Sequence, residues 1–250
     1  MLKYQILKPC IYLLTNIVHY KNYLMLYPIS SVAKKLFLLL GILFSAKLLF
    51  AHSINYDLEN APAKDVVWFY TKLGFSHIIP QGFDHILFVT GLCLLSTKIK
   101  PMLWQATAFT VAHSITLALS MKNIFVIPSP IVEPIIALSI VFVAVENILI
   151  SKLKTWRMLL VFLFGLIHGM GFASSLNEIG LPNGKFITSI LSFNMGVELG
   201  QMAVIAAVFS LFIIPFKNKS WYRQRIVYGL SASIAMVAAY WVMERVFLTK

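Results

Sequence analysis

Charge is scarce in this chain of 250 residues. Aspartate and glutamate together number nine, and charged residues of both signs make up 12%, about half the share of an ordinary soluble domain. A fully solvated globular surface is excluded. Cysteine is nearly absent: Cys10 and Cys93 are the two. They exclude a disulfide framework and a CxxC zinc or redox motif, so any metal must be held by histidine and carboxylate. There is no glycine-rich phosphate loop ending in Lys-Ser/Thr and no HExxH. No basic, aromatic-rich soluble module is present either. The formal charge of +12 is therefore not a nucleic-acid footprint, and no nucleic acid is expected as a partner.

What fills the chain instead is long apolar runs, with 59% hydrophobic residues. The expected fold class is all-α, a polytopic membrane helix bundle of about six spans after an N-terminal signal-like segment. The lipid bilayer is then a partner, and a homo-oligomer is compatible with the sequence. Residues 1–51 read as an N-terminal extension with a signal peptide or signal anchor. Lys34 and Lys35 precede an apolar run that ends at Ala51, the order of a secretory signal. Cleavage is expected near Ala51–His52 or Ala46–Lys47, and Met25 is an alternative start to Met1. Residues 52–77 read as an extracytoplasmic segment whose VVWFY patch suits an interfacial helix. Residues 78–250 read as the membrane domain.

The expected spans are 78–96, 102–120, 131–150, 156–175, 186–215 and 226–247, each near the roughly 20 residues a bilayer needs. The fifth is long enough to be tilted or broken. The loops alternate in charge. Lys98 and Lys100 follow the first span, Lys152, Lys154 and Arg157 the third, and Lys217, Lys219, Arg223 and Arg225 the fifth. The second and fourth loops carry only Lys122 and Lys185. Cations favour the cytoplasmic side, so the first, third and fifth loops face inward. The mature N- and C-termini then lie outside the inner membrane of a bacterium, as a cleaved signal would also dictate.

Ionisable side chains inside such spans are costly, and a site is the default reading. His77, Asp84 and His85 stand at the mouth of the first span. His113 lies past the middle of the second, Glu133 near the outer end of the third, His168 just past the middle of the fourth and Glu198 near the middle of the fifth. These residues share the outer half of the membrane. Glu146, near the inner end of the third span, is the exception. Asn194, Glu198 and Gln201 fall on one helical stripe, as do Thr110, His113 and Leu117. Gly165 and Gly169 flank His168, and Gly196 and Gly200 flank Glu198, a small-residue spacing that lets helices approach closely. Any one of the polar residues could serve only as an interhelical hydrogen-bond partner, and Asn147 and Gln201 read that way. Four histidines and three carboxylates at one depth exceed what packing requires, and the mixture suits Ni, Co, Zn, Cu or Fe.

At these residues the chain resembles the HupE/UreJ family, in its secreted-signal branch. The matching stretches are GFSHIIPQGFDHILFVTGLCLL (74–95), AFTVAHSITLALS (108–120), VEPIIALSIVFVAVENIL (132–149), FGLIHGMGFASSL (164–176) and SFNMGVELGQMAV (192–204). The resemblance implies a small multispan protein of nickel or cobalt supply. It carries metal-linked roles onto His77, Asp84, His85, His113, Glu133, His168 and Glu198, with Glu146 outlying; Asn194 and Gln201 are supporting residues by their place on the Glu198 stripe. The family's site opens with a His-Pro pair before Gly-x-Asp-His. Here the first half reads Ser76-His77-Ile78, with the proline displaced to Pro80.

The expected function is a membrane transporter or facilitator for a divalent transition metal, with Ni or Co as substrate ion, and not an enzyme. Without a nucleotide-binding loop, flux would be passive or gradient-driven. The rival readings are a membrane-embedded metal-dependent enzyme and a metal-binding accessory protein. The inner half discriminates: a conduit needs ligands or water reaching the cytoplasm, whereas an enzyme needs a closed pocket.

Overall fold

The computed structural model describes residues 58–248; the signal-like segment, its cleavage points and Cys10 lie outside them. The described residues are helical, with no strand among them. In chain order the helices are α1 (Ala63–Ile78), α2 (Phe83–Leu94), α3 (Ile99–Met121), α4 (Ser129–Leu149), α5 (Arg157–Ile179), α6 (Phe186–Val208) and α7 (Tyr228–Met243). A π-helical turn, Phe209–Ile213, and a short helix, Ile214–Phe216, prolong α6. Similar π-helical turns, Tyr222–Val227 and Glu244–Leu248, extend α7 at both ends. Proline lacks an N–H and its ring crowds the carbonyl four residues back. The π-helical turn just before Pro215 is where the helix absorbs that conflict.

Three helices among the described residues are long and apolar enough to cross a membrane: Ser129–Leu149, Phe186–Phe216 and Tyr222–Phe247. Phe83–Leu94 and Arg157–Ala173 are shorter apolar stretches. Helix α3 has 23 residues, a rise of about 34 Å. Its apolar character is diluted by Gln105, Thr107, Thr110, His113, Ser114, Thr116 and Ser120.

The first expected span, 78–96, is corrected. The chain is not helical from Ile79 to Gly82, and α2 has only 12 residues. Its rise of about 18 Å falls well short of the roughly 30 Å hydrocarbon core. Pro80 cannot donate to the preceding turn. Gly82 allows the chain to fold back, because a methyl group there would collide with the His77 carbonyl. The result is a break between α1 and α2 that sets His77 at the end of one helix and Asp84 and His85 at the start of the next.

The most extensive interfaces join α3 to α5, α1 to α6 and α4 to α7. The first two are glycine contacts. A side chain at Gly165 or Gly169 would run into the α3 backbone at Phe109 and His113. One at Gly196 would run into the α1 backbone at Thr71, and one at Gly74 into the α6 backbone at Phe193. Backbone-to-backbone approach of this kind holds helices by dispersion where lipid supplies no hydrophobic drive. It also fixes the depth of His77, His113 and His168 relative to one another. The apolar centre is built from Val66, Tyr70, Phe88, Phe109, Ile140, Phe193 and Val197, all buried. Outward-facing Leu138, Phe142, Leu159, Leu191 and Met236 remain exposed, as lipid-facing positions do.

Candidate metal centre

Four histidines from four helices meet inside the bundle. His77 closes α1, His85 lies in the first turn of α2, His113 lies in α3 and His168 in α5. His77, His85 and His113 each offer a ring nitrogen, and the three atoms lie within 4.8 Å of one another. The ring centroids are 4.7 Å apart for His77 and His85 and 6.0 Å apart for His113 and either of the others. His168 stands beside the group, 5.0 Å from His85 by ring centroid. Phe172 lies tilted against His77 at 3.9 Å, while Phe109 and Phe88 wall His168 at 4.9 and 5.3 Å.

The hydrogen bonds fix which nitrogen three of the rings leave free. Asp84 Oδ1 lies 3.1 Å from His85 Nδ1 and also accepts the His85 backbone N–H at 2.9 Å. An ionised carboxylate only accepts, so His85 Nδ1 carries the proton and Nε2 presents its lone pair. Asn194 donates its amide to the Ile190 carbonyl at 2.8 Å, which turns its Oδ1 toward His113 Nδ1 at 3.4 Å. His113 Nε2 is then the free lone pair. Ser139 spends its hydroxyl proton on the Ile136 carbonyl at 2.7 Å, so its oxygen accepts from His168 Nε2–H at 3.1 Å. That leaves His168 Nδ1 free. His77 Nε2, His85 Nε2, His113 Nε2 and His168 Nδ1 are all buried without a partner. One orphan is a cost of about 1–3 kcal/mol. Four in one place, three of them with the opposite nitrogen pinned by an acceptor, is the arrangement that orients imidazole toward a metal ion.

The carboxylates are distributed more widely than the sequence suggests. Asp84 is in contact with the group through His85, with 23% of its side chain exposed. Glu133, in the first turns of α4, lines the same cavity of about 350 Å³ with His77, Asp84, His85 and His168. Glu198 belongs to a separate layer one helical turn from Asn194, about 6 Å along α6. It accepts from Thr107 Oγ1 at 2.7 Å, and its Oε2 is buried and unpartnered. Gln201 continues that stripe, accepting from Thr110 Oγ1 at 3.4 Å with its Nε2 unpartnered.

Glu146 stands apart, paired with Arg157 at 3.1 Å. Arg157 is corrected from a loop cation to a core residue: its side chain is 0% exposed. Its guanidinium also donates to Asn147 Oδ1 at 3.2 Å and to the Gly91 carbonyl at 3.5 Å, and Asn147 donates to the same carbonyl at 2.8 Å. The junction of α2, α4 and α5 therefore holds a buried ion pair. Arg245 is a second cation that the sequence reading passes over. It lines the histidine cavity and donates to the Glu133 carbonyl at 2.9 Å.

A protein-family model described as HupE / UreJ protein matches residues 53–245. The chain belongs to the HupE/UreJ family. No curated protein and no solved structure matches it. This HupE/UreJ chain is thus a membrane protein of a family associated with nickel and cobalt transport, and it carries a buried histidine triad suited to a divalent metal.

Proposed function

We propose that the chain conducts a divalent transition-metal ion, nickel or cobalt, across the inner membrane through its helix bundle. The mature N-terminus faces the periplasm after signal removal. The observation that carries the reading is the convergence of His77, His85 and His113 with three ring nitrogens within 4.8 Å. The ion is cargo. Asp84 and Glu133 draw it into the outer cavity and offset its charge in low dielectric. His77, His85 and His113 replace its water with borderline-soft nitrogen, and His168 is the neighbouring acceptor site. Transfer then proceeds between α3 and α6, where Glu198, Thr107, Gln201 and Thr110 offer oxygen ligands. At the α2–α4–α5 junction Arg157 pairs with Glu146, so Glu146 serves as a structural counter-charge rather than an exit ligand.

That buried ion pair is also what favours a second reading, a membrane-embedded metal-dependent enzyme or accessory protein that holds its ion. Uptake into proteoliposomes separates them, with Ni, Co, Zn, Cu and Fe offered to wild type, His85→Ala and Glu198→Ala. Uptake of one metal, abolished by both substitutions at equal protein level, supports conduction. Bound metal without flux contradicts it.

A further inference from the structure

A second cavity lies at the other end of α2 from His85. It has a volume of about 630 Å³ and is formed where the ends of α2, α4 and α7 meet. Its charged lining is wholly cationic: Lys98, Lys152 and Arg223. Ser96, Thr97 and Ser151 add hydroxyls, and Leu94, Leu95, Leu153 and Val227 form an apolar wall. No carboxylate lines it. Lys98 and Lys152 are exposed, and neither side chain makes an ion pair or hydrogen bond among the described residues. Three like charges gathered in a crevice repel one another, and the fold holds them there regardless. Arg223 is pinned by the carbonyls of Asn147, Ile150 and Ser151 at 3.3, 2.7 and 3.4 Å and by Tyr228 Oη at 3.1 Å. Its charge is therefore fixed in position.

The unpaired lysines, the fixed guanidinium and the hydroxyls of Ser96, Thr97 and Ser151 share one solution, a bound anion.

We infer that this crevice binds a phosphate group, supplied by the headgroup of an anionic phospholipid whose acyl chains follow the apolar wall formed by Leu94, Leu95 and Val227. Lys98 and Lys152 pair with the phosphodiester, and Arg223 supplies fixed positive potential. Basic crevices between helix ends at the cytoplasmic face have this chemistry. The inference needs the membrane assignment but not metal transport.

The test measures lipid binding to the full-length protein in neutral detergent by native mass spectrometry and by thermal stability. The probes are phosphatidylglycerol, cardiolipin, phosphatidylcholine and inorganic phosphate. Wild type should retain the anionic lipids in preference to phosphatidylcholine and gain Tm with them. Lys152→Gln, at an exposed position outside the packed core, should weaken that binding about tenfold, as expected for one hydrogen bond to a charged group, without lowering the Tm of the lipid-free protein. Lys219→Gln, outside the cavity, should leave binding unchanged. Equal retention of phosphatidylcholine, or equal loss on Lys219→Gln, would overturn the proposal. Stabilisation by inorganic phosphate without any lipid preference would overturn the lipid assignment and make the ligand a soluble phosphate.

Discussion

Asn194 Oδ1 faces His113 Nδ1 at 3.4 Å because the Asn194 amide nitrogen is already committed to the Ile190 carbonyl at 2.8 Å. The α6 backbone thereby dictates the tautomer of an α3 histidine. Replacing Asn194 by Leu removes the acceptor while keeping the bulk. The His113 ring is then free to adopt either tautomer, and affinity for nickel or cobalt should fall about ten- to a hundredfold, the usual effect of losing such an outer partner. Isothermal titration of the purified protein reads this directly. An unchanged affinity would mean that His113 is not a ligand.

Gly82 keeps the end of α1 against the start of α2, since a methyl group there would meet the His77 carbonyl and approach His85 Nδ1 at 3.3 Å. Gly82→Ala should separate His77 from His85 and weaken metal binding, at an overpacking cost of about 1–3 kcal/mol. The change should show as a lower Tm together with a lower affinity. Gly184→Ala is the matched control, because nothing lies near that position.

Removing one partner of the Glu146–Arg157 pair strands a buried charge. Arg157→Met should lower stability by about 3–5 kcal/mol, measured as loss of Tm in detergent. Glu146→Gln should cost a similar amount, because the buried guanidinium keeps its charge when the carboxylate is gone. Metal affinity at the histidines, at the far ends of α2 and α4, should change little in either variant that still folds. A selective loss of metal binding in Glu146→Gln, with Tm unchanged, would restore Glu146 as a ligand.

Glu198 accepts from Thr107 at 2.7 Å but keeps a buried unpartnered Oε2, one turn below the histidine layer. Glu198→Gln should leave equilibrium binding at the triad within about twofold while uptake into proteoliposomes falls at least tenfold. Parallel loss of both would place Glu198 in the same site as the histidines.

The four histidines were legible in the sequence because each interrupts an apolar run, where an unpaired ring is expensive. Their glycine neighbours were legible too, since small residues four apart on a membrane helix have few uses besides close packing. The break before α2 was written in Pro80 and Gly82, yet the apolar residues on either side disguised it as one continuous span. Arg157 reads as a loop cation for a similar reason: a cation at the end of an apolar run has the signature of a loop, and only tertiary packing brings it to Glu146 and Asn147. Thr107 and Glu198 lie on separate helices, as do Arg245 and Glu133. No local pattern relates such pairs, so their meeting follows from how α3 packs on α6 and α7 on α4.

The most direct test is X-ray absorption on the protein loaded with one equivalent of Ni(II), comparing wild type with His113→Ala. Three imidazole nitrogens should surround the ion in wild type, at about 2.0–2.1 Å if zinc is a guide, and two in the variant. Coordination by oxygen alone, or an identical imidazole count in both proteins, would contradict the assignment of His77, His85 and His113 as the site that holds the ion.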